Sequence, residues 1–188
     1  MESRDEAVIL DYTDATDWER WLSENHGLST GVWLKIAKKN SGRTSITITE
    51  ALDAALCFGW IDSHRKSHDA EHYLQRYSPR RPKSPWSQVN VDKARALIAA
   101  GRMREPGSAA IESAKADGRW CAAYEPQRTA TIPPDLAAAL ASDERARHRF
   151  ALLNRTDQYA LFLRLMKATT PRSRATELRR AIASLSDQ

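Results

Sequence analysis

Apolar and polar residues alternate along the first half of the chain in a way that predicts four short strands. Residues 7–12 (AVILDY) form an apolar run of strand length, and residues 31–39 (GVWLKIAKK) alternate between apolar and polar positions. Asn, Ser and Gly at residues 40–42 then predict a turn. Residues 60–63 and 73–77 have the pattern of two strands that return on each other, so a hairpin is expected between them.

Two helices are predicted between these strands. Residues 16–19 (TDWE) and residues 47–50 (TITE) both have the spacing of a capping box, in which a Thr and a Glu satisfy each other's open backbone amides. The apolar residues that follow each box recur at helical spacing. Gly27 and Gly59 are then predicted to end the two helices, as glycine commonly does.

The second half of the chain has the periodicity of helices. Three prolines interrupt residues 78–85, after which Ser84 is predicted as an N-cap and Pro85 as the first helical residue. The predicted helices are residues 86–100, 106–115, 134–153, 157–167 and 172–185.

These elements predict an α+β fold, with a small N-terminal sheet and two helices followed by a helical C-terminal half packed against it. We expect residues 1–83 to form a small α/β subdomain and residues 84–188 a helical subdomain, the two folding as one cooperative unit.

Composition and charge narrow the classes of protein. The chain of 188 residues has a formal net charge of +5, which favours anionic partners mildly. It begins without a signal-peptide pattern and has no run of 18 apolar residues, so a cytoplasmic protein without membrane insertion is expected. Cys57 and Cys121 lie far apart in sequence and are expected to be free thiols.

Residues 57–90 have the composition of a binding segment. They contain two Trp, two Tyr, three His and six Lys or Arg but only three acids, and no helical or strand period runs through the whole. Hydrogen-bond donors, cations and flat rings together suit an anionic and partly planar ligand.

Several strings resemble the YdeI/OmpD-associated family (bacteriocin-protection, YdeI or OmpD-associated). They are GVWLKIAKKNSG, EALDAALCFGWIDS, YLQRYSPRRPKSPWSQVNVDKARALIAAGRM and the DGRW–AY element at residues 117–124. The family motif corresponds here to Gly59, Trp60, Asp62, Pro79, Arg80, Ser84, Trp86, Ser87 and Asn90. For function the resemblance implies an association with outer-membrane proteins, bacteriocin protection or resistance, without a defined reaction.

The leading functional hypothesis is a pocket between the sheet and the helix that starts at Ser84, binding a small anionic or amphipathic molecule. Its predicted wall is formed by Trp60, Asp62, Tyr73, Arg80, Ser84, Trp86, Ser87 and Asn90. Whether the protein is an enzyme is left open. If it is, Asp62 is the candidate for proton transfer and Arg80 for charge stabilisation; a structural role for Asp62 beside a basic residue is the alternative.

Two other classes of function compete with the pocket. A nucleic-acid or anionic-surface binder would use the basic loop at residues 76–83 and the C-terminal arginines. A protein-interaction module would instead dock its tryptophans onto a partner.

No metal or cofactor is expected. His64, His68 and His72 would share a face on one helix, but the residues around them are polar on all sides, which favours an exposed loop. The sequence contains no dinucleotide-binding, phosphate-loop, zinc-protease or nucleophile-elbow motif.

Overall fold

The computed structural model describes residues 8–186, and within them the chain forms four strands and eight helices. The predicted α+β class is confirmed, with the sheet in the N-terminal half and a helical C-terminal half. The chain divides into two compact units. The first takes the described residues up to Ser84 together with Asn90–Cys121, and the second takes Pro85–Val89 and the described residues from Ala122 onwards.

The sheet of the first unit has the strand order β1-β2-β4-β3. Its strands are β1 (Ile9–Asp11), β2 (Val32–Ala37), β3 (Trp60–Ser67) and β4 (His72–Pro79). Strands β1 and β2 pair in parallel, whereas β4 pairs antiparallel with both β2 and β3. The predicted strands and hairpin are therefore present, although Ala7 lies outside the described residues.

The alternation in β2 separates the two faces of the sheet. Val32, Leu34 and Ile36 are buried on the inner face, whereas Trp33 and Lys35 are half-buried on the outer face. A period of two along a strand places successive side chains on opposite faces, which is the pattern that the sequence shows.

Helix α1 (Ala15–Asn25) begins at a different cap from the predicted one. The Asp14 carboxylate accepts hydrogen bonds from the amides of Thr16 (2.8 Å) and Asp17 (3.3 Å), so Asp14 is the N-cap. The capping box predicted at residues 16–19 was wrong, because a carboxylate two residues earlier already satisfies these amides.

Helix α2 (Ile48–Cys57) begins as predicted. Thr47 and Glu50 form a complete capping box. The helix is followed by Gly59 in the left-handed region, with φ of 73°. A Cβ at this position would lie 2.8 Å from the carbonyl oxygen of Pro106, so the close approach of the two backbones also requires glycine.

An aromatic cluster fills the core of the first unit beneath the inner face. Trp18 and Trp21 stack at 5.3 Å between ring centroids, and Trp60 contacts both rings edge-on. The Trp18 indole donates to the carbonyl of Ala51 (3.1 Å) and the Trp60 indole to that of His26 (2.9 Å), so both buried N–H groups are satisfied.

Helix α3 (Gln88–Ala99) starts later than predicted. The amide of Tyr124 donates to the Trp86 carbonyl (3.0 Å), and the amide of Gln88 donates to the Tyr124 carbonyl (2.8 Å). These bonds hold the backbone before Gln88 in an extended bridge, so the prediction of Ser84 as N-cap was wrong. Helix α4 (Glu105–Ala116) agrees with the predicted segment.

The second unit contains helices α5 (Pro134–Ala141), α6 (Glu144–Leu152), α7 (Arg155–Lys167) and α8 (Pro171–Ser186). The single helix predicted for residues 134–153 is thus two. Ser142 ends α5, and the Asp143 carboxylate accepts from the amide of Ala146 (2.9 Å) to start α6. This unit has its own apolar core, which includes Leu136, Leu140, Phe150, Phe162 and Leu165.

The helices of the described chain are short. The longest, α8, has 16 residues. No helix within residues 8–186 combines the length and the apolar character that crossing a lipid bilayer requires.

Candidate functional site

A cleft of about 680 Å³ opens at one end of the sheet in the first unit. Its lining comes mainly from the connection between β2 and α2, at residues 36–48 apart from Ser41, and from Arg65 and Tyr73 on the hairpin. The volume lies in the range of about 300–1,000 Å³ that is typical of small-molecule sites.

The connection from β2 to α2 turns tightly at the edge of this cleft. Asn40 and Gly42 both have left-handed backbone conformations, with φ of 69° and 71°. The amide of Ser41 closes the turn onto the carbonyl of Lys38 (3.1 Å). The turn predicted at residues 40–42 is confirmed, and it places a basic, hydroxyl-rich segment along the cleft.

The lining of the cleft is strongly cationic. Lys38, Lys39, Arg43 and Arg65 contribute to it, and none of the described lining residues is acidic. Some of this charge is already engaged, because Arg43 forms an ion pair with Glu71 (2.8 Å). The cleft nevertheless retains an excess of positive charge over a small area, which favours an anionic ligand.

Arg65 is held in place by two contacts within the hairpin. Its guanidinium lies 4.6 Å from the centroid of the Tyr73 ring, and its Nε donates to Oε1 of Gln75 (3.0 Å). Gln75 is only 2% exposed, and its Nε2 donates to the carbonyl of His64 (3.2 Å). An arginine held by a ring and a buried amide has less side-chain entropy to lose when an anion binds.

A β-bulge explains why Arg65 faces the cleft. The register between β3 and β4 shifts between Asp62, which pairs with Tyr77, and Arg65, which pairs with Gln75. Such a shift changes which side chains point to each face of the sheet. Asp62 and Arg65 consequently lie on the same face although an odd number of positions separates them.

Asp62 occupies a half-buried position on this inner face. Burial raises the pKa of its carboxyl above the ordinary value, while the positive charges of Arg65 and Arg80 oppose that rise. The roles predicted for Asp62 and Arg80 stay predictions. Arg65, one of these two arginines, also lines the cleft.

The structure distributes the other predicted wall residues over several places. Tyr73 lines the cleft, whereas Trp60 is fully buried in the aromatic core. The backbone amide of Arg80 donates to the Gly59 carbonyl (2.9 Å). This bond joins two distant parts of the predicted binding segment at residues 57–90. Ser84 donates its hydroxyl to the carbonyl of Arg81 (3.0 Å).

The remaining wall residues do not all belong to one unit. Asn90 is in the first unit, whereas Trp86 and Ser87 are in the second. Trp86 is buried, and Ser87 forms a backbone bridge with Tyr124. The predicted wall as a whole therefore stays a prediction, with Tyr73 its member in the cleft.

The histidines lie in a hairpin instead of the loop that was expected. His64 is in β3, His72 begins β4, and only His68 is in the turn between them. The loop prediction was wrong because both strands extend further than their apolar residues indicate. His72 contacts Asp69 at 3.0 Å, and within residues 8–186 no group of three His, Cys, Asp or Glu is arranged to hold a metal ion.

Neither cysteine is in a disulfide. Cys57 is buried and Cys121 is exposed. Burial raises the pKa of the Cys57 thiol to about 11, so at neutral pH it is a packed thiol and not a nucleophile.

The C-terminal arginines are partly neutralised by neighbouring acids. Arg174 forms a two-pronged ion pair with Asp135, and Arg180 pairs with Glu177 (2.7 Å). A continuous basic stripe along these helices would need cations without such partners.

Sequence reasoning missed most of the residues that line the cleft. The string KKNSGRTS, one residue before the capping box of α2, contains Lys39, Arg43, Thr44 and Ser45. Its cations and hydroxyls shortly before a helix start are the signal that could have indicated the cleft. Arg65 carries no such signal, because its place at the cleft depends on the β-bulge after Asp62.

The fold and the cleft define an α+β protein with a basic cleft beside a β-hairpin. Residues 10–110 match the sequence model of the family described as Domain of unknown function (DUF8412), and the chain belongs to this family. Residues 129–188 match the family described as Bacteriocin-protection, YdeI or OmpD-Associated, which confirms the predicted family for this segment. No curated protein and no solved structure gives a significant match.

The two family matches cover different parts of the chain. Every residue that lines the basic cleft lies within the match at 10–110. Most of the strings that carry the resemblance also lie there, whereas the match to the YdeI/OmpD-associated family covers α5 to α8. The cleft is therefore a feature of the first family's segment.

Proposed function

We propose that the protein binds a small anionic or amphipathic molecule in the basic cleft of its first unit. The observation that carries this proposal is the lining itself, which includes four cations and, among the described lining residues, no acidic residue. Thr44 adds a hydroxyl group that can donate to the same anion, whereas the hydroxyls of Ser45 and Thr47 donate to Ile46 and Glu50.

The ligand class follows from the geometry of the cations. Arg65 lies over the Tyr73 ring, so it offers its outer edge to a planar carboxylate or a phosphate. Lys39 is exposed and lines the same cleft. A carboxylate or phosphate attached to a compact organic group fits this arrangement.

The biological role that we attach to this site is protection by sequestration. The description of the family matched at residues 129–188 includes bacteriocin protection, and a protein that sequesters a harmful anionic molecule protects the cell. This part of the proposal is an analogy from a family description. The proposal is of binding in the cytoplasm; Asp62 and Arg80 remain the candidates for proton transfer and charge stabilisation if a reaction takes place.

Calorimetric titration with pyrophosphate and with AMP tests the proposal. We expect saturable binding by the wild type and a loss of affinity of about tenfold in Lys39→Gln, since removing one close cation costs about that much. Arg65→Gln should lose at least as much. Arg20→Gln is the matched control, because Arg20 is exposed, lies in α1 and pairs with Asp17 outside the cleft.

A further variant separates the cleft from the predicted wall. If Arg80→Ala abolishes binding while Lys39→Gln and Arg65→Gln retain it, the ligand binds at the predicted wall and the cleft is not the site. If neither probe binds, or if all variants bind as Arg20→Gln does, no specific anion site exists in the first unit. Circular dichroism of each variant shows whether it is folded.

A further inference from the structure

The outer face of the sheet displays an aromatic ring among cations. Trp33 is at its centre, with Arg76 directly opposite on β4. The Lys66 ammonium lies 4.4 Å and the Arg76 guanidinium 5.7 Å from the centroid of the Trp33 ring. Three strands therefore contribute one member each to this group, in which Lys66 is exposed and Trp33 and Arg76 are half-buried.

The net charge of this outer face is positive. Among the described strand positions on it, the cations are Lys35, Lys66 and Arg76, and the acid is Asp11. Asp11 forms an ion pair with Lys35 at 2.9 Å, so its charge is already balanced. The charges of Lys66 and Arg76 remain beside the ring.

Gly31 lets β4 pass close to the start of β2. A Cβ at position 31 would lie 2.5 Å from the carbonyl oxygen of Tyr77 and 2.7 Å from the Cβ of Ser78, so a side chain does not fit there. The Arg76 side chain passes the same position, with its Nε 3.3 Å from where that Cβ would be.

We propose that this outer face binds single-stranded nucleic acid, with Trp33 and Arg76 as the stacking surface and Lys66 as a phosphate contact. Unpaired bases stack on aromatic rings and on guanidinium planes, and neighbouring cations contact the phosphates. The base faces of a duplex are stacked on each other, so a duplex could contact only the cations of the outer face. The alternative is that Lys66 and Arg76 only shield the half-buried Trp33 ring from water.

Fluorescence anisotropy with a labelled oligothymidylate of about 12 nucleotides tests this proposal on the full chain. We expect binding at low salt that weakens as salt rises, and weaker binding of a duplex of equal length. Lys66→Glu should lower the affinity about tenfold or more, and Trp33→Leu should lower it by a similar factor.

Lys115→Glu is the matched control for the charge change. Lys115 is on α4, and its ammonium lies 6.0 Å from the centroid of the Trp120 ring. This variant therefore also reverses the charge of a lysine beside an indole, but outside the sheet. It should change the affinity by less than about threefold, the share expected of a distant charge. Lys39→Gln should leave oligonucleotide binding unchanged, which separates this outer face from the cleft.

Four outcomes would overturn the proposal. The first two are no binding by the wild type and equal affinities for the single strand and the duplex. The third is an equal loss of affinity in Lys66→Glu and Lys115→Glu. The fourth is displacement of the oligonucleotide by phosphatidylserine vesicles at a lower concentration than by unlabelled oligonucleotide. The last would identify the outer face as a lipid-binding surface.

Discussion

Tyr77 is an unusual residue in the core of the first unit. Its side chain is fully buried, and its hydroxyl has no hydrogen-bond partner within the described residues 8–186. Burial and the nearby carboxylate of Asp62 both raise the pKa of the phenol, so it stays protonated. A buried hydroxyl without a partner loses its hydration and gains nothing in return.

Removing this hydroxyl should therefore do little harm. We expect Tyr77→Phe to change the free energy of unfolding by less than about 0.5 kcal/mol or to raise it by up to about 1 kcal/mol. Tyr159→Phe is the control, because the Tyr159 hydroxyl donates to the Glu125 carbonyl at 2.8 Å. The free energy of unfolding of that variant, measured in urea, should be lower by about 0.5–1 kcal/mol. A larger loss in Tyr77→Phe than in Tyr159→Phe would show that the Tyr77 hydroxyl has a partner.

Asp62 gives the first unit a predictable dependence on pH. Because burial raises the pKa of this carboxyl above its ordinary value of 3.8, the folded state holds the proton more tightly than the unfolded state does. Protonation therefore favours folding. The contribution of Asp62 to stability is fully present below about pH 3.8 and is lost as the pH rises through the folded-state pKa.

The variant Asp62→Asn should remove this dependence. We expect it to be more stable than the wild type near pH 7, and the difference in free energy of unfolding to shrink as the pH is lowered towards 4. Urea unfolding of both proteins at a series of pH values measures the difference in their free energies of unfolding. The other carboxylates titrate in both proteins, so their contribution cancels in this difference. A difference that grows on acidification would mean that the ion pairs of Asp62 outweigh its burial.

At the scale of elements, helix starts depend on which side chain reaches the open amides. Asp14→Ala removes the cap of α1 and should cost about 1 kcal/mol of stability. Thr16→Ala should change stability by less than about 0.5 kcal/mol, because Thr16 contributes its backbone amide to the cap. Thermal unfolding of the two variants distinguishes the caps. The opposite ranking would assign the cap to Thr16, as the sequence pattern predicts.

The elements that could be predicted from sequence are those fixed by local interactions. The alternation of β2, the capping box at Thr47 and the stop at Gly59 involve neighbours in the chain, and all three are present. The start of α3 could not be predicted, since it depends on hydrogen bonds to Tyr124 far along the sequence. Local patterns do not encode such distant partners.

The residues of the candidate site also differ in whether local sequence predicts them. Tyr73 could be assigned to a site from composition alone, and it lines the cleft. Arg65 could not be assigned to the inner face, because its orientation depends on the bulge after Asp62, and a shift of one residue reverses the face. The cleft itself needs the turn at residues 38–42 to lie beside the hairpin, which is a tertiary arrangement.

At the scale of the whole molecule, two compact units each have a hydrophobic core. Leu34 in the first and Leu136 in the second are both fully buried, so replacing either by Ala should cost about 2–5 kcal/mol. We expect one cooperative transition in calorimetry, shifted to lower temperature by either change. Two transitions, each moved by only one of the variants, would show that the units unfold independently.

The short segment Pro85–Val89 belongs to the second unit although the residues on both sides of it belong to the first. A gene split after Cys121, within the stretch that separates the two family matches, would leave this segment on the wrong fragment. The C-terminal fragment would then lack Trp86 and Gln88, whose backbone groups bond to those of Tyr124. Its open edge would be a site for fragment complementation, and a peptide that spans residues 85–89 is the natural candidate to occupy it.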